Sequence, residues 1–191
     1  MQTITAKMDL TQTLVDRARA MIPVLRSRAQ QSESECKVPE ETIRDFQDAG
    51  FFKILQPKRW GGYELDPQSF YAVQMAVAEG CMSSAWVLGV VAVHNWQLAL
   101  FDAQAQSDVW GDNPTTLISS SYMPRAEVTP VDGGYRISGR WGFSSGVDHC
   151  QWAFLGGLVP DPEGGAPDYR TFLVPRKDFE IDYVWDTLGL R

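Results

Sequence analysis

Apolar residues recur at helical spacing through the first two thirds of the chain, and strand-like segments follow in the last third. Between residues 9 and 31 the apolar positions fall three and four residues apart, which predicts a helix that Pro23 should kink or break. A second helix is predicted from Pro39 to Gly50, because proline and acidic residues favour a helix start and glycine favours its end. Three further helices are predicted over residues 66–80, 85–101 and 103–110.

The helix predicted over residues 85–101 is largely apolar, so we expect it to be buried on most sides. We predict that Ser83 or Ser84 caps its start, since a serine hydroxyl accepts hydrogen bonds from the first backbone N–H groups of a helix. Polar residues interrupt its apolar run, which is also too short to span a bilayer.

After Asn113-Pro114 the sequence favours strands. Residues 115–122 are rich in strand-forming residues, and Val131 to Tyr135, which contains Asp-Gly-Gly, predicts a tight hairpin between two strands. Two further strands are predicted over residues 152–159 and 169–174.

This change of pattern divides the chain into two units and predicts an α+β protein. We expect an N-terminal α-helical domain over residues 1–112 and a β domain over residues 113–191. The final Leu188-Gly189-Leu190-Arg191 stops at a glycine-containing turn without a terminal helix or a polar tail, so we expect that the chain is truncated there.

Charge and cysteine spacing exclude several classes of function. The formal net charge is −7, from 17 basic and 24 acidic residues, whereas a nucleic-acid-binding protein needs a basic face. The N-terminus lacks the apolar core of a secretory signal, which predicts a cytoplasmic protein that does not enter membranes. Cys36, Cys81 and Cys150 have no paired spacing, so we predict neither a disulfide framework nor a metal site.

Aromatic residues make up 12% of the chain and include seven Trp, which is compatible with a well-packed core or with a site for a planar ligand. One segment combines aromatic rings with hydroxyls: Trp141 and Phe143 precede Ser144, Ser145 and Gly146. From the residues alone, the serines either offer hydroxyls to a ligand or bond their own backbone in a β-turn.

The order of the two units resembles the acyl-CoA dehydrogenase superfamily. The resemblance is carried by Gly50-Phe51-Phe52, Gln56-Pro57, Trp60-Gly61-Gly62, the segment Trp141–Gly146 and the final Gly189-Leu190-Arg191. It implies an N-terminal helical domain, a middle β-barrel or sandwich domain, and a C-terminal four-helix bundle that is absent from this chain. In that superfamily flavin lies between the β domain and the bundle.

Within the superfamily the chain resembles the flavin-dependent oxygenases more than the dehydrogenases. The matching residues are Val93-His94-Asn95-Trp96, Ile118–Tyr122, and Trp141–Gly146 followed by Asp148-His149. They are similar to oxygenase components that hydroxylate a phenolic seco-steroid ring and, more distantly, to two-component 4-hydroxyphenylacetate 3-monooxygenases. The resemblance implies ortho-hydroxylation of a phenolic substrate by a homotetramer, with O2 and with reduced FMN or FAD from a separate NADH-dependent flavin reductase.

The resemblance also implies roles for the aromatic and serine segment. In the relatives this segment runs along the flavin ring with a hydroxyl near flavin N5, so Trp141, Phe143, Ser144, Ser145 and Gly146 are candidate flavin contacts. Either serine could lie near N5, because the sequence does not distinguish them.

Four more candidates come from the predicted strand and the apolar helix. Ser119, Ser120 and Ser121 are expected to meet the flavin or line its pocket, with a polar strand edge as the alternative. Trp86 is expected at the flavin and substrate cavity, with core packing as the alternative.

Two histidines receive different interpretations. His94 is expected to orient the phenolic oxygen of the substrate, although a histidine in an apolar helix is as often a satisfied core residue. His149 is expected to be structural, because its side chain and that of the neighbouring Asp148 should diverge on a strand.

Two other functions stay open at this point. An acyl-CoA dehydrogenase would take its catalytic carboxylate from the missing bundle, and a non-catalytic α+β module would pack against partner chains. The relatives' general base also belongs to the bundle, so the chain by itself is expected to be inactive.

Overall fold

The computed structural model describes residues 2–184, with side chains described from residue 6 onward. The predicted turn at Gly189-Leu190-Arg191 lies outside these residues. Among the residues described, no helix is long and apolar enough to cross a membrane. Nor do His, Cys, Asp or Glu side chains form a metal-binding group of three or more in this part of the chain.

The first part of the chain is helical, as predicted. Its helices are α1 (Gln2–Ala20), α2 (Ile22–Ser27), α3 (Ala29–Glu35), α4 (Glu40–Ala49), α5 (Pro67–Ala78), α6 (Met82–Leu98) and α7 (Ala103–Trp110). Pro23 lies in the first turn of α2, where its missing N–H costs no hydrogen bond. The helix predicted between residues 9 and 31 is therefore broken, as expected, just before this proline.

The start of α6 differs from the prediction. Cys81 occupies the N-cap position in an extended conformation, and its side chain makes no capping hydrogen bond. A cap at Ser83 or Ser84 is therefore wrong, because the helix has already begun at Met82. The amides of Gly80 and Cys81 both bond to the carbonyl of Val77, so the chain turns at the end of α5 and enters α6 at once.

Helices α1, α5 and α6 pack into the larger of two hydrophobic clusters. α5 lies against both α1 and α6, and a hydrogen bond of 2.8 Å joins the hydroxyls of Thr11 on α1 and Ser69 on α5. The buried face of α6 includes Ala85, Leu88, Val91 and Ala92, each at most 2% exposed. Removing these apolar surfaces from water is the main force that holds the helical domain together.

The second part of the described chain forms one four-stranded sheet. Its strands are β1 (Ile118–Val131), β2 (Gly134–Gly139), β3 (Trp152–Val159) and β4 (Asp168–Pro175), in the order β2-β1-β3-β4. β1 and β2 form the predicted hairpin, β3 and β4 are also antiparallel, and β1 pairs with β3 in parallel. The order of a helical domain followed by a sheet confirms the predicted α+β class.

The strand order determines the path of the connection between β2 and β3. β1 lies between those two strands in the sheet, so residues 140–151 must cross β1 to reach the start of β3. A tight hairpin cannot make this connection, because it joins only strands that are neighbours in the sheet. The crossover contains the aromatic and serine segment that the sequence singled out.

A second hydrophobic cluster joins the sheet to the helices. It contains Leu98 of α6, Val109 and Trp110 of α7, Ile118 of β1 and Phe154 of β3, all at most 3% exposed. The start of β1 is thereby fixed against the end of α6.

The cap of α5 offers a test of the helical packing. Asp66 Oδ1 accepts hydrogen bonds from the backbone N–H of Ser69 at 2.8 Å and from its hydroxyl at 3.0 Å. We expect Asp66→Ala to lower the free energy of unfolding by about 1 kcal/mol, whereas Asp66→Asn should retain most of it. Urea denaturation of the two variants measures the difference, and equal stability of both with the wild type would contradict the capping role.

Candidate flavin-binding turn on helix α6

The crossover approaches α6 most closely at Gly146. This residue has φ +76°, and a Cβ atom there would lie 2.9 Å from Cγ2 of Val91 and 3.0 Å from Cγ1 of Val87. Both the left-handed backbone and the lack of space favour glycine. The segment Ser144–His149 therefore rests directly on α6, in a tight turn that continues into the 3-10 helix Val147–His149.

A hydrogen bond joins the turn to the exposed edge of α6. Trp86 Nε1 donates to Ser145 Oγ at 3.1 Å, and the Trp86 residue remains 46% exposed. The two residues are 59 positions apart in sequence, and the fold brings them into contact. An exposed aromatic ring beside a fixed hydroxyl is a suitable wall for a planar ligand.

The other serine of the turn has a buried hydroxyl without a partner. Ser144 Oγ is shielded from solvent and makes no hydrogen bond among the described residues, and the same is true of Ser119 Oγ on β1. A buried hydroxyl without a partner is costly, and such groups are therefore often satisfied by a ligand or a water molecule. Of the two serines, Ser145 is therefore already engaged by Trp86, whereas the Ser144 hydroxyl has no partner among the described residues.

The aromatic residues that precede the serines have different environments. Trp141 Nε1 donates to the carbonyl oxygen of Gly156 at 2.9 Å, so this side chain is attached to β3. Phe143 has φ +61° and is 72% exposed. A non-glycine residue in the left-handed region is strained, and such strain is often found at ligand sites. Phe143 is therefore the better candidate for stacking on a planar ring.

The three serines of β1 alternate between two faces, as expected for a strand. Ser121 Oγ donates to the carbonyl oxygen of Gly142 at 2.6 Å, which holds the crossover where it passes over β1. Ser119 is fully buried. Ser120 is partly exposed on the opposite face and hydrogen-bonds Tyr122. Ser121 thus supports the turn, whereas Ser119 and Ser120 remain candidate pocket residues.

His94 is buried between α6 and β1. His94 is 2% exposed, and its Nδ1 donates to the carbonyl oxygen of Ile118 at 2.6 Å. Its ring also lies edge-on to Tyr122 and Phe154, with centroid distances of 6.2 and 5.7 Å. Burial lowers the pKa of His94 to about 4, despite the opposing hydrogen bond to Ile118. The neutral ring therefore carries its hydrogen on Nδ1 and leaves Nε2 as an acceptor.

Sequence reasoning missed a polar pair beside His94. The hydroxyl of Tyr122 donates to Oε1 of Gln97, and Tyr122 is 42% exposed. Burial of the hydroxyl raises the pKa of Tyr122 above its ordinary value, which keeps it protonated. Spacing places Gln97 about one helical turn after His94 and Tyr122 on the strand face of Ser120, but no spacing within α6 or β1 could have predicted that the two side chains meet.

The outer face of α6 is apolar along its whole length. Its exposed large side chains are Met82, Trp86, Val93, Trp96 and the adjoining Leu100. A shallow recess of about 390 Å³ at the far end is lined by Leu55, Pro57, Arg59, Glu64, Trp96 and Ala99. The rise of a helix puts that recess about 15 Å from Trp86, so it is separate from the serine turn.

The sequence of the chain is similar to those of known proteins. Residues 9–111 match the family model described as the acyl-CoA dehydrogenase N-terminal domain. The chain is 47% identical over 177 residues to the flavin-dependent monooxygenase oxygenase subunit HsaA of Rhodococcus jostii, a match that covers 93% of the chain and 46% of that protein. It is 34% identical to the oxygenase component of the FADH(2)-dependent resorcinol hydroxylase of a Rhizobium species. That match covers 93% of the chain and 43% of the hydroxylase component.

A solved structure shows the same fold. XiaF from a Streptomyces species, in complex with FADH2 and glycerol, superposes with a TM-score of 0.93 at 27% identity, over 100% of this chain and 48% of that one. The chain spans less than half of the length of each of these relatives.

The burial of His94 predicts a pH dependence of stability. Its pKa is about 4 in the folded protein against 6.5 ordinarily, so the unfolded chain binds the proton more readily and stability is lost as the pH falls from 6.5 towards 4. Relative to neutral pH, we expect a loss of about 2 kcal/mol near pH 5 from this group.

The variant His94→Gln isolates that contribution from those of the carboxylates. Urea denaturation near pH 7 and pH 5 should show that the stability difference between wild type and variant shrinks at the lower pH. A difference that is the same at both pH values would mean that His94 titrates normally in the folded protein.

Proposed function

Because the chain belongs to the acyl-CoA dehydrogenase family, through the N-terminal domain of that family, we propose that it is part of the oxygenase component of a two-component flavin-dependent monooxygenase. The proposed reaction is the ortho-hydroxylation of a phenol with reduced FMN or FAD, O2 and a separate NADH-dependent flavin reductase. The names of two relatives, a flavin-dependent monooxygenase subunit and a resorcinol hydroxylase component, support this class.

The observation that carries the proposal is the contact of Trp86 with Ser145 at 3.1 Å. It joins the exposed edge of α6 to a turn that also holds the hydroxyl of Ser144, which has no partner within residues 2–184, and that follows the exposed ring of Phe143. Two aromatic rings and a free hydroxyl at one place are the groups that a flavin ring would use.

The flavin would supply the redox chemistry, and the chain would bind and orient it. When bound, reduced flavin activates O2 so that one oxygen atom enters the substrate and the other leaves as water. Trp86 and Phe143 would provide ring contacts, and Ser144 a hydroxyl toward flavin N5. Ser145 would be a positioning residue, because its oxygen already accepts from Trp86.

The substrate end of the site would lie where α6 meets β1. His94 Nε2 is an acceptor, and Gln97, Ser120 and Tyr122 offer polar groups on the more open side of the same region. These groups suit the hydroxyl of a phenol, which both donates and accepts hydrogen bonds. We assign His94 to hold that oxygen and not to take its proton, since the base is expected elsewhere in the full-length protein.

The finer features of the function rest on the sequence. A seco-steroid phenol as substrate, a homotetramer and a cytoplasmic location remain part of the proposal. Of the two alternatives, a dehydrogenase and a non-catalytic module, neither gains support from the residues at the turn. Two relatives that each match 93% of the chain are named as an oxygenase subunit and as the oxygenase component of a hydroxylase.

Removal of the hydroxyls of the turn should separate flavin oxidation from hydroxylation. We expect the full-length Ser144→Ala variant to lose a hydrogen bond to the flavin, which corresponds to roughly a threefold to tenfold rise in the ratio of hydrogen peroxide to hydroxylated phenol. Ser144→Ala together with Ser145→Ala should raise that ratio further. Both products are measured per NADH oxidised, with the reductase present.

Ser138→Ala is a matched control, because Ser138 is exposed on β2. It should leave the ratio unchanged. An unchanged ratio in the double Ser144 and Ser145 variant would contradict the assignment of this turn to the flavin.

Replacement of Trp86 by Phe tests the contact that carries the proposal. The ring remains, but the N–H that donates to Ser145 is lost, so we expect roughly a threefold increase in peroxide per NADH oxidised by the full-length protein. Trp96→Phe is the control, because Trp96 is similarly exposed on α6. If the two variants behave alike, the hydrogen bond from Trp86 has no special part in the site.

A further inference from the structure

His149 is buried beside a carboxylate from another part of the fold. Its side chain is 2% exposed, and Nδ1 lies 3.3 Å from Oε1 of Glu40, which is 57% exposed at the start of α4. The two atoms are in close polar contact without forming a hydrogen bond, and Nδ1 has no hydrogen-bond partner among the described residues. A buried imidazole nitrogen with a carboxylate as its polar neighbour is unusual enough to need an explanation.

The backbone around His149 connects this contact to the serine turn. Its N–H donates to the carbonyl oxygen of Gly146 at 3.1 Å, and the N–H of Val147 donates to that of Ser144 at 3.1 Å. Cys150 Sγ also donates to the oxygen of Gly146 at 3.3 Å. A displacement of the His149 ring would therefore be transmitted through one short turn to Ser144 and Ser145.

A second tether holds the opposite side of the same turn. The hydroxyl of Tyr183 donates to Asp148 Oδ1 at 2.5 Å, from the segment that follows β4. Consecutive side chains of the 3-10 helix thus point to different partners, Asp148 to this segment and His149 to α4. The turn contacts α4 through His149 and α6 through Gly146, and the crossover that leads into it is held to the sheet where Ser121 bonds Gly142.

We propose that His149 and Glu40 form a positioning pair that sets the height of the Ser144–Ser145 turn over α6, and so places the flavin-facing hydroxyl. This inference rests on the proposed function only for the identity of the ligand. His149 would not touch the flavin or the substrate, and it would act through the backbone of the turn. The sequence predicts a structural role for His149, and positioning the turn would be that role.

Glu40→Ala tests the pair without disturbing the core, because Glu40 is on the surface. The matched control is Glu41→Ala, since Glu41 lies in the same first turn of α4 and pairs with Arg44 at 3.3 Å. Both variants remove one negative charge from the start of α4, so effects on the helix dipole cancel in the comparison.

The first readout needs no flavin. Amide hydrogen exchange by mass spectrometry on the full-length protein reports the backbone N–H groups of Val147, His149 and Cys150. We expect Glu40→Ala to exchange about twofold to fivefold faster than Glu41→Ala in the peptide that covers the turn, as befits a partly exposed pair. Equal exchange in the two variants would overturn the proposal.

The second readout uses reduced FMN as the probe, bound under nitrogen and then mixed with oxygenated buffer. Hydrogen peroxide should appear about twofold to fivefold faster from Glu40→Ala than from Glu41→Ala. His149→Asn, whose amide nitrogen can replace Nδ1, should restore slower release relative to His149→Ala. If Asn and Ala at this position behave alike, the ring of His149 fills space and positions nothing.

The two readouts separate this inference from the proposed function. Faster exchange at the turn in Glu40→Ala supports the positioning pair, even if the wild type hydroxylates no phenol. Absence of phenol hydroxylation by the wild type with its reductase counts against the proposed function. Exchange that does not depend on Glu40 counts against the pair, whatever the wild type catalyses.

Discussion

The arrangement of the site depends on one topological constraint, the crossing of β1 by the connection between β2 and β3. Because β3 pairs with β1 and not with β2, β1 lies between the two strands that the connection joins, and the chain must pass over β1. The connection can lie on α6 only where a residue without a side chain meets Val87 and Val91, and Gly146 is that residue. The serines next to Gly146 are consequently held at the junction of helix and sheet.

The same junction explains why a histidine is buried in an apolar helix. The first residue of β1 has a backbone carbonyl that faces α6, and His94 satisfies it at 2.6 Å. Desolvation outweighs this hydrogen bond, so the pKa of His94 falls and the ring is neutral at physiological pH. A neutral histidine joins the two domains without a buried charge, and its second nitrogen keeps the capacity to accept a hydrogen bond.

Local signals in the sequence were sufficient for the elements but not for their contacts. Asp66-Pro67 and Gly50 mark helix ends through capping chemistry that acts over a few residues, and the structure has helix ends there. The predicted cap of α6 at Ser83 or Ser84 was wrong, because the turn at Cys81 depends on the end of α5. The pairing of β1 with β3 is equally non-local. So are the contacts of His149 with Glu40 and of Tyr122 with Gln97, which no pattern within one element could predict.

The distribution of polar and apolar surface also places a physical demand on the proposed chemistry. When water reaches reduced flavin, its reaction with oxygen yields hydrogen peroxide in place of hydroxylated product. An oxygenase must therefore exclude water from the flavin ring. The turn supplies hydroxyls and rings, yet Trp86 and Phe143 are 46% and 72% exposed, and Trp96 and Leu100 continue the apolar face of α6 at 51% and 67%. Large exposed apolar surfaces are rare on soluble monomers and commonly mark sites of interaction. Exclusion of water from the proposed site must therefore come with binding, from surfaces that close over α6 and the turn together.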